Sequence, residues 1–293
     1  MNYASGGDFR RALEMRLRNI SLREHVPLAR LRKLVAFDRF LARLAASQPE
    51  AWILKGGLAL QIRLGERART TRDMDLDFRS RPSQADIHTG LVEAASTSLG
   101  DWFGFQVEGS RPAESPSERF HVRALLDGRP FETFHVDVGV CESLVEPPQK
   151  LSLPPLLEFA GIAPALAPCY PVTQQIAEKI HAYTRPHVGS EGSRVKDLVD
   201  ILLLASLSSM TSDHLFKAIH ATFKTRQTHP IPRLLPNPPT NWGAPFRKLA
   251  TETNLAWTAL APALKACREF IEPVLQGNHK ERWNPIAWKW ENQ

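Results

Sequence analysis

Apolar residues recur at helical spacing early in the chain, with Leu34, Phe37, Leu41 and Leu44 on one stripe, which predicts helices between Arg10 and Arg43. From Ala51 to Val140 the period shortens. Ala51 to Leu54, Met74 to Phe78, Phe120 to Leu126 and Phe134 to Val140 read as strands, with a short helix after Gly57 and a longer one around Ala85 to Ser98. Asp127-Gly128, between Leu126 and Arg129, signals a hairpin that pairs the last two strands antiparallel. Next come Pro147, Pro148, Pro154, Pro155, Pro164, Pro168 and Pro171, a density that disfavours helix interiors and central strands. A domain boundary is therefore expected there, dividing the chain into 1–150, a sheet domain with basic N-terminal helices, and 151–293, mainly helical. In the second part, Ile176, Ile180 and Tyr183 mark one helix, Lys196 to Leu207 another and Asn254 to Val274 a last one, with Pro230 to Pro245 read as a break. The fold class is α+β.

Composition adds limits. A chain of 293 residues, 43% hydrophobic and 23% charged, buries a sizeable core, which excludes peptide hormones, disordered chains and coiled coils. Lys and Arg number 37 against 31 Asp and Glu, a net charge of +6 that permits a nucleic-acid partner without demanding one. The basic stretch from Arg10 to Arg43 reads either as a solvated helix face or as an electrostatic track for a phosphate backbone. Cys141, Cys169 and Cys267 have no metal-ligand spacing, so the expectation is a reducing cytoplasm without disulfides. The longest uncharged apolar run, Ile201 to Ser212, falls short of the roughly 18 residues a bilayer span needs, and no membrane partner is expected.

The densest chemistry lies in Arg69-Thr70-Thr71-Arg72-Asp73-Met74-Asp75-Leu76-Asp77-Phe78. Strand alternation projects Asp73, Asp75 and Asp77 to one face and Met74, Leu76 and Phe78 to the other. Crowded carboxylates repel, so a cation is expected nearby, and Mg²⁺ is commonly held by one or two carboxylates plus substrate phosphates. A calcium loop is excluded, because its sixth and twelfth positions would be Phe78 and Gln84 instead of Gly and Glu. A solvated acidic strand is the competing reading. Lys55-Gly56-Gly57 follows the apolar Trp52-Ile53-Leu54 and precedes a helical run. Such a turn either cradles a phosphate on backbone N–H groups or is merely a turn. In Phe134-His135-Val136-Asp137-Val138-Gly139-Val140, Asp137 faces away from the apolar positions, as a solvent-facing acid or as a third carboxylate beside the Asp73 strand.

Taken in order, a strand, Gly-Gly, a short helix, an Asp-x-Asp strand and a distant strand with one Asp, the chain resembles the nucleotidyltransferase superfamily. Lys55-Gly56-Gly57 with Ala59-Leu60, then Arg69, Thr71, Asp73 and Asp75, then Ala177-Glu178-Lys179, Arg194 and Lys196-Asp197-Leu198-Val199-Asp200, narrow the resemblance to the AbiEii/AbiGii toxins of type IV toxin–antitoxin systems, MenT-like toxins included. It covers roughly residues 28 to 206. The resemblance implies a nucleotidyltransferase-fold mixed-sheet domain and a mainly helical C-terminal domain contributing to the nucleotide cleft. It also implies transfer of NMP from an NTP, CTP being one candidate, to the 3′ acceptor end of tRNA, which blocks translation. Asp73, Asp75 and Asp137 would bind Mg²⁺ or Mn²⁺. Lys55, Gly56, Gly57, Arg69, Thr71 and Lys179 would bind nucleotide, and Asp73, Asp75, Lys179 and Asp200 would be catalytic. In some relatives the residue at the Thr71 position is a hydroxyl that can be phosphorylated. The implied partners are tRNA and a cognate AbiEi-like antitoxin encoded nearby. Read from the residues alone, Lys179 is a surface lysine and Arg194, Asp197 and Asp200 a helix-surface salt bridge. The alternatives are an aminoglycoside-type transferase with a small-molecule acceptor, or a non-catalytic RNA- or antitoxin-binding protein.

Overall fold

The computed structural model describes residues 3–79, 84–112, 118–140, 144–186 and 194–292. The chain divides into two compact units, one of residues 1–62, 70–142 and 149–169, the other of residues 63–69, 143–148 and 170–293.

The first unit begins with two helices, α1 (Gly6–Glu24) and α2 (Leu28–Ser47). Strand β1 (Trp52–Lys55) runs directly into helix α3 (Gly56–Leu64), and β2 (Asp73–Phe78) and α4 (Gln84–Ser96) follow. Then come β3 (Phe103–Pro112), β4 (Glu118–Leu126), β5 (Arg129–Val140), β6 (Gln149–Ser152) and β7 (Leu166–Cys169). The seven strands form one sheet in the order β3-β4-β5-β2-β1-β7-β6. It is mixed: β2 runs parallel to β5 and β1 parallel to β7, while the other neighbours are antiparallel. The expected hairpin is present, with Leu126 opposite Arg129 and both Asp127 and Gly128 at positive φ, 55° and 70°, as a two-residue turn of this hand requires.

Alternation makes the sheet two-faced. Trp52, Leu54, Met74, Leu76, Phe120, Val122, Phe134, Val136 and Val138 are all buried, and the rings of Phe37 and Phe40 on α2 meet Phe134 at centroid distances of 5.0 and 5.7 Å. Each such side chain removed from water contributes about 1.5–3 kcal/mol, so this face anchors the helices. The opposite face of β2 and β5 carries the acids. The basic N-terminal segment also serves the fold: Arg43 is 1% exposed, donates to Asp101 Oδ1 at 2.6 Å and to the Phe103 carbonyl at 2.8 Å, and Arg10 donates to the Leu126 and Pro130 carbonyls at 2.9 Å. These arginines tie helices to strand ends instead of facing solvent.

Strands β6 and β7 fall inside the proline-rich passage. Pro168 sits in β7 and no proline lies in β6, so the sheet tolerates the passage by using only four residues at a time, with β6 at the edge.

The second unit holds α5 (Val172–Thr184), α6 (Val195–Ala205), α7 (Ser212–Arg226), α8 (Gly243–Glu252) and α9 (Leu260–Leu275), followed by the antiparallel pair β8 (Glu281–Asn284) and β9 (Lys289–Asn292). Helix α7 is absent from the sequence expectation because its start follows the apolar run from Ile201; the Thr211 hydroxyl caps it, accepting from the His214 amide at 3.3 Å. Helix α8 begins inside the expected break, with Pro245 in its first turn, where a missing N–H is harmless. Helix α9 starts at Leu260, later than expected. Three indoles pin the terminal hairpin to this unit: Trp283 donates to the Ala205 carbonyl at 2.8 Å, Trp288 to Ala266 at 3.0 Å and Trp290 to Phe270 at 2.8 Å. No described helix is long and apolar enough to cross a membrane. Cys169 and Cys267 are buried, and Cys141 lies outside the described residues.

Candidate active site

The junction from β1 to α3 is built for glycine. Gly56 has φ +61°, in the left-handed region, and a Cβ there would run into the Asp75 carboxylate. The Gly57 amide, at the N-terminus of α3, points to Asp75 Oδ2 at 3.4 Å, a placement the helix dipole favours for an anion.

Register then orders the acids. Lys55 pairs with Asp75 across β1 and β2, and Asp75 pairs with Asp137 across β2 and β5. One step along, Asp73 pairs with His135, and one step the other way Asp77 pairs with Gly139. Asp77 is 2% exposed, and Lys55 Nζ lies 2.5 Å from its Oδ1. A Cβ at Gly139 would strike Asp77 and come within 3.3 Å of the Lys55 nitrogen, so that glycine makes room for the pair. Asp77 is thereby a buried counter-ion, whereas Asp73 keeps 36% of its side chain exposed. The Thr71 hydroxyl, 8% exposed as a residue, donates to the Asp73 carbonyl at 3.2 Å and shapes the entry to β2.

Asp137 is gripped from β4. Arg119 Nε donates to its Oδ1 at 2.7 Å and one terminal nitrogen to its Oδ2 at 2.6 Å, and that nitrogen also lies 4.0 Å from Asp73 Oδ2. These hydrogen bonds to Asp137, with the charges of Asp137, Asp73 and Asp75, hold the Arg119 guanidinium above its already high range. His135 Nδ1 lies 3.4 Å from Asp73 Oδ1. Sequence reasoning missed Arg119, His135 and Gly139.

Among the described residues no three His, Cys, Asp or Glu groups form a ready metal-binding cluster. The donor set of Asp73 and Asp75 nonetheless suits a hard divalent cation: two carboxylates on one strand face, beside the glycine turn where a Cβ is forbidden, with further oxygens left to come from a substrate phosphate.

The second unit gathers the remaining expected residues. Lys179 on α5 lies 2.9 Å from Asp197 Oδ1 and 2.8 Å from Asp200 Oδ2, both on α6, and Arg69 reaches Asp200 with two nitrogens, its closest contact 3.0 Å. Arg194 lies 3.5 Å from Asp197. Asp197 is 2% exposed and Asp200 0%, so this is an interior network, not the helix-surface salt bridge that spacing alone suggests. Burial pushes the Asp200 carboxyl up, but Lys179 and Arg69 outweigh it and hold it below the usual range; burial likewise opposes charge on Lys179, yet Asp197 and Asp200 raise it.

These two units match a known class. MenT4, a nucleotidyltransferase toxin from Mycobacterium tuberculosis, superposes over 91% of this chain and 99% of its own with a TM-score of 0.56 at 18% identity, which establishes a shared fold. JHP933 from Helicobacter pylori (TM-score 0.39, 15% identity, 85% of this chain, 90% of its own) and an H. pylori nucleotidyltransferase described as putative (0.40, 14%, 85%, 94%) are more distant. No curated protein sequence matches the chain. The fold is that of nucleotidyltransferase toxins. Residues 39–276 match the model of the nucleotidyl transferase AbiEii toxin family of type IV toxin–antitoxin systems, and the chain belongs to that family. It is a nucleotidyltransferase.

Proposed function

We propose that the protein is the toxin of a type IV pair acting in the cytoplasm, opposed by an AbiEi-like antitoxin, and that it transfers NMP from an NTP to the 3′ end of tRNA. The observation that carries this reading is the row Lys55, Asp75 and Asp137 across three strands, with Asp73 beside it and the Gly56-Gly57 turn at one end. Asp73 and Asp75 would hold Mg²⁺ or Mn²⁺, which when bound supplies charge neutralisation of the triphosphate. The backbone N–H groups opening α3 favour phosphate oxygens, and Lys55, fixed by Asp77, sets the β1 side of the turn. The acceptor's 3′-oxygen bonds to the α-phosphorus, the bond from that phosphorus to the bridging oxygen breaks, pyrophosphate leaves and the hydroxyl proton passes to water.

In the second unit, Arg69, Lys179, Arg194 and Lys196 surround Asp197 and Asp200, a surplus of positive charge suited to phosphates. Burial, with Arg69 next, lowers the Lys196 ammonium, so an arriving anion would relieve repulsion there. This supports Arg69 and Lys179 as phosphate-holding residues and Asp200 as the acid that positions them.

The test is incubation of total tRNA, and separately of aminoglycosides, with each labelled NTP. Label at tRNA 3′ ends is expected, reduced by at least about 100-fold in Asp73→Asn and Asp75→Asn with melting temperatures retained, the order seen when charge stabilisation in a transition state is lost. Label found only on a small hydroxylated compound would move the substrate to that class. Full activity in both variants would remove the acid strand from the reaction.

A further inference from the structure

The third acid already has a cation. Arg119 and Asp137 are direct cross-strand partners on β4 and β5, and the guanidinium meets both carboxylate oxygens, at 2.7 and 2.6 Å. Two parallel charge-assisted bonds are the strongest geometry open to an arginine and a carboxylate, and a guanidinium does not lose its charge at any working pH. The same group leans to 4.0 Å from Asp73, so it lies between an acid of β5 and an acid of β2.

Charge sets how much more the row accepts. Asp73, Asp75, Asp77 and Asp137 bring four negative charges, and Lys55 and Arg119, both in ion-pair contact with them, bring two positive ones. Lys55 is committed to Asp77 and Arg119 to Asp137, so an added divalent cation is assigned to Asp73 and Asp75. We propose that Arg119 is a built-in counter-ion that takes the place of a second divalent metal ion at Asp137, so that the protein without nucleotide binds a single ion, at Asp73 and Asp75. The inference rests on the reading above that these two acids bind metal. Arg119 acts through Asp137 and is a positioning residue. Its side chain is 44% exposed on the polar face of the sheet, so replacing it opens no core cavity.

The experiment is a titration of the full chain with Mn²⁺, followed by loss of the free-ion electron paramagnetic resonance signal, without nucleotide. One ion per chain is expected for the wild type and for Arg119→Lys, which keeps the charge. Two are expected for Arg119→Ala, and one again when Asp137→Asn is added to it. A purely structural role for Arg119 would shift the melting temperature and leave the count at one in Arg119→Ala, which overturns the proposal while sparing the metal reading. Two ions in the wild type overturn it equally. No ion in any variant overturns the metal reading as well.

Discussion

Removing the Asp200 carboxylate tests whether the charged cluster of the helical unit is as interior as its geometry says. The side chain is 0% exposed, with Lys179 at 2.8 Å and Arg69 at 3.0 Å. At an effective dielectric of about 20 these two attractions are each worth roughly 5–6 kcal/mol before desolvation. Most of that is offset by taking the ions out of water, but deleting one member strands the others, and the net loss for a broken buried pair is about 3–5 kcal/mol. Asp200→Ala should therefore destabilise the chain by about that amount in equilibrium urea unfolding. Asp200→Asn should cost less, because the amide oxygen can still accept from Arg69. In a cycle with Lys179→Met, the second change should cost at least about 1 kcal/mol less once Asp200 is already Asn, since members of one network do not add. A loss below about 1 kcal/mol for Asp200→Ala, with additive singles, would refute the reasoning and return the cluster to a solvated helix face.

Two further changes probe other parts. Gly56→Ala forces a side chain into the left-handed region at about 1–2 kcal/mol and pushes Asp75 aside, so transfer should fall about 100-fold, the scale of a 1 Å misplacement; activity within twofold of wild type would rule out the tight turn. His181 is 7% exposed, and burial, with His229 and nearby arginines, pushes its imidazole down to about 4. The unfolded chain binds a proton near pH 6.5 that the folded one refuses until about pH 4, so this group's stabilisation is complete above 6.5 and falls by about 3 kcal/mol as pH drops through that window. His181→Gln should flatten the slope of unfolding free energy between pH 6.5 and 4, and an unchanged slope would contradict the assignment.

Much of the site was legible because strand alternation is a local property. It separates Asp73 and Asp75 from Met74 and Leu76, and Gly56-Gly57 is visible as a turn from its residues alone. Alternation does not reveal depth: Asp77 shares the acid face but is buried because Lys55, on a neighbouring strand, pairs with it. Nor does counting from the Asp127-Gly128 turn find Arg119. Leu125 pairs with Pro130 but Ala124 with Glu132, so Phe131 is an extra residue that shifts register by one. Without that bulge Arg119 would lie opposite Val136, and with it Asp137 becomes the partner. Lys179 reads as a surface residue from α5 alone, and only the packing of α6 encloses it. The terminal hairpin escaped because its strands are four residues long and held by tryptophan side chains, not by a periodic pattern.

The order of strands bears on when the acid row can assemble during synthesis. The acid-bearing β2 is flanked by β5, more than fifty residues downstream, and its other neighbour β1 is backed by β7, which begins at Leu166. None of these parallel pairings can form from a short nascent stretch, and such distant pairings are slow to close. A fragment that ends before β5 therefore has its carboxylates unassembled, and the row from Lys55 to Asp137 is complete only after most of the first unit has been translated.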